Sequence, residues 1–217
     1  MTDSTTMAAH HEIPDGLDPQ GRGSWPSREL IQSFLGDSWD FELRPGETVP
    51  VGTEEAAAAA RHFRDVLSRF ASGVTVVTGV HDDEPVGLTC QSFSSVSLDP
   101  PLVLFCPAHT SRAWPRIREA GRFCVNFLAD DQAAVSDQFA VRGSDKFAGV
   151  GWRPSPVGGT PVLDGVVGYV DCTLHAVHEA GDHDVVIGRV VDLGYPEDGA
   201  PEHGLTFYRG RYGSTRD

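Results

Sequence analysis

Three short stretches of this chain carry residue types that could do chemistry. The first runs from Gly87 to Pro101 and reads Gly-Leu-Thr-Cys-Gln-Ser-Phe-Ser-Ser-Val-Ser-Leu-Asp-Pro-Pro. Val86, Leu88 and Cys90 alternate with Gly87, Thr89 and Gln91, the two-residue period of a half-buried strand. After Gln91 the register breaks, because Phe93 takes the odd face while Val96 and Leu98 keep the even one. A break rich in small hydroxyls predicts a bulge, where backbone N–H groups can turn toward a ligand. The same composition also suits a sheet edge whose Ser hydroxyls, Ser92 among them, sit in water. The second stretch is Gly181-Asp182-His183, between two strand-like runs. Gly-Asp is a turn signal, and a His beside a turn is expected to be exposed, able to reach over a ligand without supporting the core. The third group is basic: Arg112, Arg142, Lys146, Arg209 and Arg211 stand out in an acidic chain. Local positive charge of this kind suits a phosphorylated cofactor, and it equally suits scattered solubilising charge.

These residues need elements to hold them. A helix is predicted from about Glu54 to Phe70, with Thr53 as N-cap and Ala56 to Ala60 as strong formers. Its residues Phe63, Val66, Leu67 and Phe70 repeat as one apolar stripe, and Gly73 follows as a stop. Strands are then expected over Val74–Val80, Val86–Ser97, Leu102–Cys106 and Arg122–Leu128, with a turn at His81–Pro85. Later strands fit Val166–Val177, Asp184–Leu193 and Leu205–Tyr208. Helical pieces fit Ser111–Ala120, closed by Gly121, and Asp130–Phe139, with Asp130 or Asp131 as cap. This pattern predicts a mostly β, barrel-like α+β domain rather than alternating βαβ units.

The first 50 residues differ. They hold five Pro, nine acidic and three basic residues and no β-like alternation. Residues 1–52 therefore read as an acidic extension and residues 53–217 as the folded domain. Within the extension, Leu30, Ile31, Phe34 and Leu35 share one face of a possible short helix ended by Gly36.

Composition excludes several functions. Asp and Glu number 31 against 17 Lys and Arg, a net charge of −14, which disfavours a general nucleic-acid binder. No apolar run approaches the roughly 18–20 residues that span a bilayer, and the start has no signal-peptide pattern. None of Cys90, Cys106, Cys124 and Cys172 forms a C-x-x-C pair, so free thiols in a reducing cytoplasm are expected. The G-x-G-x-x-G, Walker and G-x-S-x-G motifs are absent. His175 and His178 would lie on opposite faces of a strand, so no metal site is expected there.

Together, and in this order, the residues carry a resemblance. From about Phe63 to Tyr212 the chain resembles the short-chain flavin reductases, the reductase partners of two-component flavin-dependent monooxygenases. The carrying segments are Phe70–Thr78, Gly87–Pro101, Gly121–Leu128, Asp145-Lys146-Phe147, Gly181-Asp182-His183 and Tyr208-Arg209-Gly210-Arg211-Tyr212. The contexts of the four cysteines look most like the reductases serving hydroxylases of phenolic or steroid-derived aromatics. The resemblance implies an FMN-binding split β-barrel with peripheral helices and a homodimer with flavin near its interface. It also implies NADH- or NADPH-dependent reduction of FAD or FMN, with reduced flavin diffusing to an oxygenase.

By the same resemblance, Val86, Gly87, Leu88, Thr89, Gln91 and Ser92 would contact flavin. Cys106, Pro107, Ser111, Arg112 and Phe139 would line its ribityl–phosphate side, with Lys146 nearby. His183 would meet the nicotinamide, with Asp182 in the same motif and Arg209 and Tyr212 as neighbours. Gln91 departs from the Ser or Thr usual at its position. A non-catalytic flavin-binding or electron-carrier module is the alternative, and Gly-Asp-His argues against it. A pyridoxine-phosphate-type oxidase on the related fold suits the modest basic content less well.

Overall fold

The computed structural model describes residues 54–141, 145–195 and 201–216. The expected helix around Leu30–Leu35, the Thr53 cap, and Arg142 lie outside them. The described chain opens with α1 (Glu54–Leu67). Five strands follow: β1 (Ser72–Gly73), β2 (Thr75–His81), β3 (Glu84–Cys90), β4 (Ser94–Leu98) and β5 (Pro101–Phe105). Next come α2 (Ala113–Ala120), β6 (Arg122–Phe127) and α3 (Ala133–Ala140). The strands β7 (Trp152–Pro154), β8 (Pro161–Leu163), β9 (Gly168–Ala180), β10 (His183–Gly194), β11 (Leu205–Tyr208) and β12 (Arg211–Ser214) complete it.

Seven strands form one antiparallel sheet in the order β3-β2-β6-β9-β10-β5-β4. At about 4.8 Å per neighbour, its edge strands would stand about 29 Å apart if it were flat. Yet those edges, β3 and β4, are joined by only Gln91, Ser92 and Phe93, a link that spans at most about 14 Å. The sheet must therefore curl. Phe105 of β5 and Phe123 of β6 confirm it, with ring centroids 5.1 Å apart although β9 and β10 lie between their strands. The curl encloses a core of Val77, Leu88, Phe105, Phe123, Val125 and Val186, capped by Trp114 and Ile117 of α2. A Cβ on Gly188 would sit 2.4 Å from the Phe123 ring, so this position takes no larger residue without displacing that ring. A second core, with Val76, Leu128, Phe139, Val162 and Leu205, lies where α3, β8 and β11 meet the sheet.

The Val86–Ser97 run divides as its pattern implied: β3 ends at Cys90, Gln91–Phe93 break the pairing, and β4 starts at Ser94. Three expectations are corrected. Helix α1 ends at Leu67, not Phe70, because tight backbone bonds from Arg69 N–H to Val66 O and from Phe70 N–H to Leu67 O turn the chain toward β1. Neither Asp130 nor Asp131 caps α3, which starts behind Gln132; Asp130 instead accepts from Ser214 Oγ and pairs with Arg216, each at 2.7 Å. His175 and His178 are both exposed, because a bulge in β9 leaves His175 unpaired and breaks the alternation.

Candidate active site

Strand β3 lays Leu88, Thr89 and Cys90 along one wall of a cleft of about 500 Å³, and the break adds Gln91 and Ser92. Cys106, just beyond β5, continues this wall. Ser92 fixes the join: its Oγ accepts from Cys106 N–H at 2.8 Å, lies 3.3 Å from Cys106 O, and sits 3.0 Å from Cys90 Sγ. Thr89 Oγ1 donates to Ser136 O at 2.6 Å, and Thr75 Oγ1 to Cys90 O at 2.7 Å. Ser72 Oγ donates to Gln91 Oε1 at 3.3 Å. Of the serines expected at a sheet edge in water, Ser92 is engaged in the break, while Ser94 and Ser95 are exposed on edge strand β4.

Gly87 is required by close approach. A Cβ there would meet Phe139 Cε1 at 2.6 Å, so the bare backbone lets this buried ring from α3 lie against β3 and reach the cleft. Lys146 locks that contact, its Nζ donating to Phe139 O at 2.8 Å and Gly87 O at 3.1 Å. Two carbonyls therefore engage the lysine that the sequence offers to a phosphate.

His183 opens β10 after the Gly181-Asp182 turn, in which Gly181 takes φ 70°. It lines the cleft but is only 6 % exposed, against the expectation of an exposed turn residue. A backbone bridge pairs it with Ala108, within the Pro107–His109 segment that bonds Asp182 and Asp184 on either side of it. Its Nδ1 lies 2.7 Å from Asp182 Oδ1; a carboxylate only accepts, so Nδ1 carries the proton.

Of the remaining expected residues, Val86, Pro107 and Ser111 are buried behind the walls, and Arg112 is exposed at the start of α2. Arg209 sits at positive φ in the β11–β12 turn, its N–H donating to Ser68 O at 2.8 Å. Tyr212 faces α3, its hydroxyl 2.6 Å from Asp137 Oδ1 and 2.9 Å from Ser136 Oγ. Burial, reinforced by the Asp137 bond, pushes its pKa up to about 12. The cleft also takes Arg64, Leu67, Ser68 and Phe70 from the end of α1, Ala180 and Val185 from the β9–β10 hairpin, and Phe207 from β11. Nothing local in the sequence marks these; they arrive through pairing between distant segments. The four cysteines are unpaired. Burial raises all four thiols, Cys172 to about 12, where Asp171 beside it adds to the effect.

Residues 67–216 match the family model of the flavin reductase like domain, well over half of the chain. The chain belongs to this family. The flavin reductase-like domain thus contains the whole seven-stranded sheet and every residue lining the cleft but Arg64, and the match leaves the first 66 residues outside it. Over 152 residues the chain is 52% identical to the reductase subunit HsaB of a flavin-dependent monooxygenase from Mycobacterium tuberculosis, covering 70% of this chain and 80% of that one. It superposes with a TM-score of 0.71 on a homologue of nitrilotriacetate monooxygenase component B from Mycobacterium thermoresistibile, 50% identical, over 74% of this chain and 88% of that one. A 32% identical NADH:FAD oxidoreductase of Streptomyces globisporus, solved with NAD and FAD fragments, matches with a TM-score of 0.65 over 77% of this chain and 96% of that one.

Proposed function

We propose that this chain transfers hydride from NADH to FAD or FMN and releases the reduced flavin to a separate flavin-dependent monooxygenase. The observation that carries this reading is that the Thr89–Ser92 segment, Cys106 and His183 line one cleft, in a chain of the flavin reductase-like family. The residues fit the cofactor class. The cleft's volume lies within the roughly 300–1,000 Å³ of ligand pockets, and Leu88, Phe139, Val185 and Phe207 give it apolar surface for a ring system. A bound flavin would accept hydride at N5 from the nicotinamide, so no charged acid–base pair is needed.

The chain's own groups bind, orient and exclude water. Backbone and side-chain donors at Gln91 and Ser92 would hold the electron-rich pyrimidine edge, where charge builds on reduction. Leu88 and Phe139 would stack beneath the rings, while Val86, Gly87 and Lys146 support that floor from behind. Cys106 and Arg112 would form the ribityl–phosphate side, with Pro107 and Ser111 packed behind it. His183, with its tautomer set by Asp182, would meet the nicotinamide, and Tyr212 and Arg209 would brace the hairpin that presents Phe207. The curl of the sheet supports a split-barrel architecture, and four unpaired cysteines support a reducing, cytoplasmic setting. The apolar side chains exposed on the described chain support a homodimer.

The test is NADH oxidation by the purified protein with FAD, FMN and riboflavin compared side by side, and NADPH as the competing donor. NADH consumption that depends on added flavin is expected. Flavin binding without NADH consumption would point to the carrier alternative.

A further inference from the structure

A buried carboxylate stands directly behind His183. Asp184 follows it on β10, with its side chain only 7% exposed. Trp114 Nε1–H donates to Asp184 Oδ2 at 2.7 Å, His109 Nε2 lies 3.0 Å from Oδ1, and the Arg118 guanidinium lies 3.7 Å from Oδ2. Burying a carboxylate is costly, and an arrangement with several donors is needed to offset it. Hydride transfer as described above makes no use of this group.

Two of its partners, His109 and Trp114, belong to or brace one turn. His109 ends the Cys106–His109 segment, and its N–H donates to Asp182 O at 2.8 Å, while Asp184 N–H donates to Pro107 O at 3.0 Å. The Trp114 indole stands edge-on to Phe105, centroids 5.7 Å apart, and Phe105 immediately precedes Cys106. Asp184 therefore grips the turn at both ends, through His109 and through Trp114 on Phe105. The inner side of the same turn touches the cleft: Cys106 N–H holds Ser92 Oγ, and Ala108 pairs with His183.

The geometry points to Asp184 as a positioning residue that sets, through the Cys106–His109 turn, the spacing between the Ser92 wall and His183. This rests on reading the cleft as the hydride-transfer site. Two variants test it. Asp184→Asn keeps the size but replaces one acceptor oxygen with a donor. Trp114→Phe keeps a ring against Phe105 and removes the N–H.

Wild type and both variants are compared in anaerobic single turnovers at saturating NADH and flavin, well below each variant's own melting temperature. Flavin reduction is expected to slow about 10- to 100-fold in Asp184→Asn, the effect of a misplacement on the order of 1 Å. A smaller slowing in the same direction is expected in Trp114→Phe, with flavin affinity changing less than the rate. A role confined to stability would lower the melting temperatures and leave the folded enzyme's rate alone, and wild-type rates in both variants would overturn the proposal. Should Asp184→Asn not fold, Trp114→Phe alone decides. A wild type that fails to reduce flavin overturns the hydride-transfer reading itself, and this proposal with it.

Discussion

His183, proposed above to meet the nicotinamide, is also held in the fold. Its sequence context suggests a residue free to leave, yet it is buried, bridged to Ala108 and bonded to Asp182. His183→Ala should therefore lower stability by about 1–3 kcal/mol, through a lost hydrogen bond and a small cavity, rather than the few tenths of an ordinary surface change. It should also raise the KM for NADH more than that for flavin. Thermal melts with steady-state kinetics, each substrate varied in turn, separate the two effects; an unchanged melting temperature would contradict the burial argument. Tyr212 sets a pH limit. Its folded pKa is raised from 10.0 to about 12, so the folded state holds the proton that the unfolded state has released. The associated stability is complete below about pH 10 and is lost as pH rises toward 12. Denaturant titrations across that window should show a smaller drop for Tyr212→Phe than for wild type.

At the level of elements, strand β3 and helix α3 are held at a distance only glycine allows. Gly87→Ala would place a methyl group 2.6 Å from the Phe139 ring and 3.1 Å from Val77 O. The ring cannot yield easily, because Lys146 bonds the Phe139 carbonyl and the Phe147 ring stands nearly perpendicular to it with centroids 5.0 Å apart. The expected cost is about 1–3 kcal/mol of stability, with weaker flavin binding as Phe139 is displaced. Flavin fluorescence titration and a thermal melt check both; a variant equal to wild type in each would show that the contact is soft. The strands of the seven-stranded sheet, the break after Gln91, Gly121 as the stop of α2 and the Gly-Asp turn were legible in the sequence, because alternation and turn chemistry are local signals, whereas the short β1, β7, β8 and β12 were not. The N-terminus of α3 was not, since a distant Arg216 and Ser214 claim the acid that would have capped it. Nor was the burial of His183, which depends on a segment more than seventy residues away. The cleft was half legible for the same reason: the β3 side is contiguous, whereas Arg64, Val185 and Phe207 meet it only after folding.

At the scale of the whole molecule, apolar side chains at and just beyond the end of α1 stand exposed among the described residues. Phe70 is 81% exposed, and Val66 and Leu67 are exposed beside it, at the edge of the cleft. Leu98, at the end of edge strand β4, is 94% exposed, and Leu193 and Tyr195 are also uncovered. Apolar surface of this kind calls for a partner, and the reading offered above is a second copy. Each copy carries a net charge of −14, so association must overcome like-charge repulsion across the interface. Added salt screens that repulsion, with a Debye length of about 10 Å at 0.1 M, and leaves apolar burial intact. The dimer should therefore tighten as ionic strength rises, the opposite of an interface held by ion pairs. Phe70→Asp adds a charge at the most exposed of these side chains, just beyond α1, and should give a monomer. Because Phe70 and Leu67 line the cleft, the same variant should lose flavin affinity by roughly tenfold, the loss of one aromatic contact at the cleft's edge. Sedimentation of wild type and Phe70→Asp at low and high salt, alongside flavin titration, measures all three effects. A wild type that sediments as a monomer at every salt concentration, or a Phe70→Asp dimer with unchanged flavin affinity, would mean that these side chains face water rather than a second subunit.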